Sequence, residues 1–160
     1  MAVQPFTIRR ATPADAAGIL ACLQAAFQPY QSRYTPLAYA DTVLTAETLH
    51  RRLEFMSIFI AASESAEVIG TIGCNPAGNG EGHLRGMAVL SAWQGAGVAE
   101  ALLKSAESEL HSLGCERVTL DTTQPLERAI RFYEKHGYRP TGKVADFFDM
   151  SLYEYAKPLR

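Results

Sequence analysis

Apolar residues recur with two different periods along the chain, and each period predicts one kind of secondary structure. Short alternating or continuous apolar runs predict strands at residues 6–10, 58–61, 68–72, 83–90 and 118–122, and another within the tail at 147–159. Spacings of three and four predict helices that begin near residues 13, 46, 97 and 126. This order of elements predicts a mixed α/β protein that forms one domain over residues 1–160.

Capping residues mark where the predicted helices begin and end. Thr12 and Asp15 have the spacing of a capping box, and Pro13 suits the first helical position. Gly114 and Gly137 are suited to end the third and fourth helices. The apolar stripe predicted to face the core from the third helix is Val98, Leu102, Leu103, Ala106, Leu110 and Leu113.

Three segments depart from these periods. The aromatic segment 29–36 and the segment 75–82 are rich in turn-forming residues, so we expect the first to be irregular and the second to be a long turn. Gly86 lies inside a predicted strand, where glycine often marks a bulge or a close approach by a ligand. In the tail, Phe148, Met150 and Leu152 are predicted to share one face of a strand.

Composition narrows the class of protein. Hydrophobic residues make up 48% of the 160 residues and charged residues 20%, which is typical of a globular protein. The formal net charge of -2 argues against nucleic acid or a membrane surface as a partner. Three widely spaced cysteines without a CxxC pair predict neither disulfides nor a metal site. No apolar run is long enough to be a signal sequence or to span a bilayer, so we expect a cytoplasmic protein.

The segment 87–99 is the strongest indication of function. A predicted strand runs into a glycine-bearing turn that becomes a helix N-terminus, where unpaired N–H groups and the helix dipole favour an anion. Gly95 and Gly97 would let a phosphate approach the backbone, although a tight turn can need glycine for its angles alone. No Gly-Lys-Ser/Thr follows, and Glu100 stands where a dinucleotide fingerprint has its third glycine.

The segment 94–99, Gln-Gly-Ala-Gly-Val-Ala, resembles the Gln/Arg-x-x-Gly-x-Gly/Ala signature of the GNAT superfamily of acetyl-CoA-dependent N-acetyltransferases. A second motif, Ala-Ile-Arg-Phe-Tyr-Glu-Lys-His-Gly-Tyr at 129–138, is similar to that family's pattern as well. The resemblance extends over residues 6–159 in element order, and its specific motifs lie between residues 83 and 138. It implies a mixed, mostly antiparallel sheet flanked by helices, with acetyl-CoA entering where two central strands splay apart.

The resemblance also implies which residues contact acetyl-CoA. Backbone N–H groups of the glycine-bearing turn would hold the pyrophosphate, and the strand that ends at Val89 would pair with the pantetheine arm. The implied set is Met87, Ala88, Val89, Gln94, Gly95, Ala96, Gly97, Val98 and Ala99. Relatives often carry asparagine where Leu126 stands, so one side-chain contact is expected to be missing.

An acetyl transfer to an amine needs three groups from the protein. The amine must lose a proton, the tetrahedral oxyanion needs a donor such as the Val89 N–H, and the leaving thiolate needs an acid. The resemblance implies that Tyr133 is the acid, although its position in an apolar stripe would equally suit a core residue. His83 could be the base, because imidazole titrates near neutral pH; a solvated strand-edge histidine is the alternative.

The base and the acceptor stay open at the level of sequence. Glu81, Asp41 or a water relay could replace His83, and Arg85 could bind a substrate carboxylate or only cover a surface. We expect a primary amine of a small molecule or peptide to bind against residues 28–50, and a homodimer is compatible with the sequence. A non-catalytic acyl-CoA-binding or sensing domain on the same fold is the alternative function, against which an intact turn and Tyr133 argue.

Overall fold

The computed structural model describes residues 5–124 and 126–159, which form a seven-stranded sheet with helices on both faces. The strands are β1 (Phe6–Arg10), β2 (Ser57–Ser63), β3 (Val68–Gly78), β4 (Glu81–Val89), β5 (Arg117–Thr123), β6 (Arg139–Phe147) and β7 (Met150–Pro158). The helices are α1 (Ala16–Phe27), α2 (Pro36–Val43), α3 (Ala46–Phe55), α4 (Val98–Ser112) and α5 (Glu127–Lys135). A short 3-10 turn precedes α1, and a longer one occupies Gln28–Arg33.

The sheet is mostly antiparallel and its two central strands separate. The strand order is β1-β2-β3-β4-β5-β7-β6, and β4 with β5 is the parallel pair. This pair is joined from Glu81↔Arg117 only as far as Leu84↔Leu120. Because β4 continues to Val89 and β5 to Thr123, the second halves of both strands face an opening. The expected splay between two central strands is therefore confirmed.

The two sheet faces bury different helices. Successive residues of a strand point to opposite faces, so Val68 packs in the cluster that contains α1 and α3 while Ile69 packs in the cluster that contains α4. Five α4 side chains are buried, namely Val98, Leu102, Leu103, Ala106 and Leu110. Each contributes on the order of 1.5–3 kcal/mol when fully buried, and together they fix α4 against β3 and β4.

Most predicted elements and their caps are present. The Thr12–Asp15 capping box forms, and Gly114 and Gly137 take positive φ after α4 and α5. Gly86 also has positive φ (65°) where the β3–β4 register shifts, which is the predicted bulge. No helix of the described residues is long and apolar enough to cross a membrane.

The pattern did not predict β6, and four further details were wrong. The segment 75–82 is mostly strand, with its turn confined to Asn79 and Gly80. Leu113 is 52% exposed, because it lies beyond the last residue of α4 and no longer follows the helical period. Phe148 is 44% exposed in the turn between β6 and β7. The aromatic segment is more regular than expected, because Gln28–Arg33 form a 3-10 helix and Pro36 opens α2 with Thr35 as its cap.

Candidate active site

The N-terminus of α4 presents unpaired backbone donors to an open space. Gly97 caps the helix with φ 86° and Gly95 has φ 83°, a backbone region that favours glycine. The first helical bond is donated by Ala101 to Gly97, so the N–H groups of Val98 and Ala99 have no intrahelical acceptor. A β-carbon on either glycine would have no heavy atom within 4 Å. Glycine here therefore serves both the backbone angles and access to the donors.

Close packing brings this helix end to the end of β4. A β-carbon on Gly70 of β3 would lie 2.9 Å from Leu102 Cδ1 and 3.0 Å from Val98 Cγ1. Such distances are shorter than van der Waals contact allows, so the absence of a side chain at residue 70 lets the first turns of α4 lie directly on the sheet.

At the end of β4, the Val89 N–H group points into the splay between β4 and β5. Leu90 N–H donates to Ile69 C=O at 2.9 Å, and Val89 lies opposite Gly70. In an antiparallel ladder, bonded residues alternate with residues whose N–H and C=O point away from the partner strand. Val89 is of the second kind, so its N–H points away from β3, to the side where β5 has diverged. The Gln94 side chain donates to Val89 C=O at 3.4 Å.

A first cavity of about 510 Å³ connects these groups, and we call it the donor cavity. It is lined by eight of the nine residues expected to contact acetyl-CoA: Met87, Ala88, Val89, Gln94, Gly95, Gly97, Val98 and Ala99. Ala96 is the exception, because its side chain packs against the α4 core cluster. The opposite wall comes from α5 and carries the cations Arg128 and Lys135.

A second cavity of about 160 Å³ lies on the other side of the splay, and we call it the acceptor cavity. Its polar lining includes His83, Arg85, Asp121, Asp41 and Arg52. Phe27, Met87, Leu126, Ala129 and Tyr133 line both cavities. The two spaces therefore meet at one apolar boundary that contains the Tyr133 ring.

Tyr133 is buried at this boundary. Its side chain is 6% exposed and packs edge-on against Phe132 and Tyr138, with ring centroids 5.5 Å and 5.7 Å away. Burial raises the pKa of the Tyr133 hydroxyl, so the group is protonated at neutral pH. No hydrogen bond from residues 5–124 or 126–159 reaches this hydroxyl. The ring is therefore a core residue, and the hydroxyl has no hydrogen-bond partner among the described residues.

His83 is paired with a carboxylate that sequence reasoning missed. Its Nδ1 lies 2.8 Å from Thr119 Oγ1 and its Nε2 lies 3.5 Å from Asp121 Oδ2. Burial lowers the pKa of His83 against the opposing effect of Asp121, and burial raises the pKa of Asp121. His83 is therefore not the solvated edge residue of the alternative interpretation. Its partners follow from the parallel register. His83 on β4 lies opposite Thr119 on β5, and Asp121 is two residues further along β5.

The other candidate bases are differently placed. Glu81 pairs with Arg117 at the start of β4 and does not line the acceptor cavity. Asp41 does line it, as does Tyr34, whose hydroxyl lies 2.8 Å from Thr123 Oγ1. Of residues 28–50, against which the acceptor is expected to bind, Arg33 and Tyr39 line neither cavity.

Comparison with known protein families agrees with this geometry. The family model described as acetyltransferase (GNAT) family matches residues 19–138, which include both glycine-bearing motifs and all residues that line the donor cavity. The chain belongs to the acetyltransferase (GNAT) family. Its members transfer acyl groups from acyl-CoA, and the matched range extends from α1 to the residue after Gly137.

Solved GNAT structures share the whole fold at low sequence identity. A GNAT acetyltransferase from Staphylococcus aureus is 16% identical, with a TM-score of 0.80 over 98% of this chain and 100% of that one. The PaiA N-acetyltransferase of Thermoplasma acidophilum, solved with coenzyme A, is 16% identical, with a TM-score of 0.79 over 96% and 99%. The ribosomal-protein-S18-alanine N-acetyltransferase of Escherichia coli is 18% identical, with a TM-score of 0.76 over 97% and 94%.

Proposed function

We propose that this GNAT protein transfers an acetyl group from acetyl-CoA to a primary amine of a small molecule or peptide by direct attack. The observation that carries the proposal is the meeting of the two cavities at Tyr133. One cavity leads from unpaired helix N–H groups, and the other contains the His83–Asp121 pair. An amine and an acetyl thioester that entered from opposite sides would meet at this boundary.

The donor cavity fits the chemistry of acetyl-CoA. Anionic phosphates suit the N-terminus of α4, where a side chain is absent at Gly95 and Gly97 and donors are unpaired. Arg128 and Lys135 add positive charge on the α5 wall. Bound acetyl-CoA would supply the acetyl group and a thiolate that leaves. The Val89 N–H would donate to the carbonyl oxygen as negative charge develops on it.

His83 fits the role of the base. An amine with a pKa near that of lysine is mostly protonated at neutral pH and must lose a proton before it can attack. Because burial lowers the pKa of His83, its imidazole is neutral at pH 7 and able to accept that proton. Asp121, 3.5 Å from Nε2, would stabilise the imidazolium that results.

Tyr133 fits the role of the acid. Its hydroxyl is protonated, lies where the cavities meet and has no partner among the described residues. It can therefore donate to the departing sulfur, which leaves more easily when it is protonated.

A non-catalytic acyl-CoA-binding domain is the alternative, and the acceptor cavity argues against it. A sensing domain needs the donor cavity alone, whereas this chain also places a histidine–carboxylate pair and an unpartnered tyrosine beside it. A panel of primary amines with acetyl-CoA, monitored by thiol release, tests the proposal. Amine-dependent release is expected. Tight coenzyme A binding with no amine-dependent release would support the sensing domain.

Location and assembly remain predictions of the sequence. We infer a single domain over residues 1–160 and a cytoplasmic protein, and we leave a homodimer as a hypothesis. The three cysteines are free and buried, which agrees with a reducing compartment.

A further inference from the structure

Two arginines without partners lie together at the acceptor cavity. Arg52 extends from α3 and is half-buried, and Arg85 is exposed on β4 just before Gly86. The Arg52 guanidinium lies beside Gly86, since a β-carbon there would be in van der Waals contact with Arg52 Nη1 at 3.6 Å. Neither arginine forms an ion pair or a side-chain hydrogen bond with any residue in 5–124 or 126–159.

This arrangement is unfavourable in the absence of an anion. Burial and the neighbouring charge of Arg85 lower the pKa of Arg52 to about 10, which still leaves it charged at neutral pH. The charge of Asp41 raises the pKa of Arg52. Asp41 lines the same cavity, but it forms no ion pair with Arg52. Buried charges are normally paired, because desolvation otherwise destabilises the fold. Arg52 is half-buried without an ion pair and the exposed Arg85 lies on the same cavity wall, so this wall favours an anionic ligand.

The same cavity contains groups that suit an amine. His83 and Asp121 provide a proton acceptor, and the buried Thr122 hydroxyl, with no partner among the described residues, lines the cavity as well. One cavity thus combines a cationic region with a proton-accepting region. A ligand that satisfies both carries an anionic group and an amine in one small molecule.

We propose that the amine acceptor carries an oxyanionic group, a carboxylate or a phosphate, which Arg52 and Arg85 bind. The inference rests on the proposed acetyl transfer, and it names the class of acceptor for that reaction. A guanidinium donates two parallel hydrogen bonds to such a group, which orients it as well as attracting it. Bound in this way, the acceptor has its amine on the side of His83 and Tyr133.

Matched pairs of amines test the proposal. Amino acids are compared with their C-terminal amides, which keep the shape and lose the charge, and phosphoethanolamine is compared with ethanolamine. The anionic member of one pair is expected to have a kcat/KM at least about tenfold higher, as one charge-assisted contact provides. The pair that shows the preference distinguishes carboxylate from phosphate.

Variants show whether Arg52 is responsible for the preference for anionic amines. Arg52→Gln should lower kcat/KM for the anionic member by about 10- to 100-fold, since contacts to charged groups are lost. The kcat/KM for the neutral amine of the pair should fall less, because that amine has no anionic group for Arg52 to contact. Arg51→Gln is the matched control, since Arg51 is the exposed neighbour on α3 and lines neither cavity. Its substitution should preserve the preference.

The outcomes separate this inference from the proposed function. If the protein acetylates amines but treats both members of every pair alike, or if Arg52→Gln lowers both equally, the anion site is wrong and acetyl transfer stands. If no amine is acetylated, the proposed function fails. Calorimetric titration with the same anionic amines then still tests the site: binding that Arg52→Gln removes supports it, whereas binding that is absent or unchanged overturns it.

Discussion

The two cavities at the splay are built in different ways. The donor cavity depends on backbone: helix N–H groups, two glycines with positive φ and the unpaired N–H of Val89. The acceptor cavity depends on side chains that come from several elements, among them α2, α3, β4 and β5. The backbone part suits a ligand that many relatives share, whereas the side-chain part can change with the acceptor while the fold stays the same.

The largest expected effect comes from Tyr133, one of the residues that line both cavities. Tyr133→Phe keeps the ring and removes the hydroxyl proposed as proton donor, so turnover should fall by about 10²-fold or more, the usual size of acid catalysis. Coenzyme A affinity, measured by calorimetry, should hardly change, because the lost interaction belongs to the transition state.

Tyr138→Phe is the control for that variant. Its ring packs 5.7 Å from Tyr133, and its hydroxyl donates to Glu107 at 2.6 Å outside both cavities. It should cost some stability and leave turnover intact. Parental turnover by Tyr133→Phe would assign Tyr133 to the core alone, with water protonating the thiolate.

Substitutions in the acceptor cavity should change the pH dependence of turnover. His83→Gln should lower turnover by about 10²-fold at neutral pH and remove the acidic limb of the rate profile. In the parent, that limb should lie below the ordinary histidine pKa of about 6.5, because burial lowers the pKa of His83. Since Asp121 raises the pKa of His83, Asp121→Asn should move the limb to still lower pH. An acidic limb that is unchanged in His83→Gln would favour Asp41 or a water relay.

Substitutions at the donor cavity should change the binding of coenzyme A. Gly97→Val places a branched side chain in the open space before α4, so the rise in melting temperature with coenzyme A should disappear. The substitution also strains the backbone, because φ is 86°. Gly114→Val controls for that strain, since Gly114 has φ 87° and open space at the other end of the same helix. If both variants keep the shift, phosphates do not bind at this helix end.

The same division explains what could be predicted from the sequence. The strand–turn–helix of the donor cavity is contiguous, and its glycine spacing carries the information, so eight of its nine predicted residues line one cavity. Asp121 and Arg52 could not be found in this way, because they approach His83 and Arg85 only through the parallel β4–β5 register and the packing of α3. β6 was missed for another physical reason: eight of its nine residues are exposed, so it has no alternating apolar pattern.

The smallest expected effect tests how tightly the donor cavity depends on packing beneath it. Gly70→Ala adds a β-carbon 2.9 Å from Leu102 and 3.2 Å from the Ala88 carbonyl, so α4 must move away from the sheet. Overpacking of this kind typically destabilises by about 1–3 kcal/mol. A shift of the first turn of α4 should also raise the KM for acetyl-CoA by about two- to fivefold, less than one power of ten in affinity.

Gly82→Ala separates these two consequences. Its β-carbon would lie 2.7 Å from Leu110 Cδ1, so it overpacks the C-terminal half of the same helix by a similar amount. Denaturant unfolding should therefore show a comparable loss of stability for both variants, because each forces α4 from the sheet. The KM for acetyl-CoA should rise in Gly70→Ala alone, since only that contact lies beneath the N–H groups. Equal KM values would mean that the donor cavity tolerates movement of α4, and that its affinity depends on the glycine-bearing turn without support from the packing of the helix.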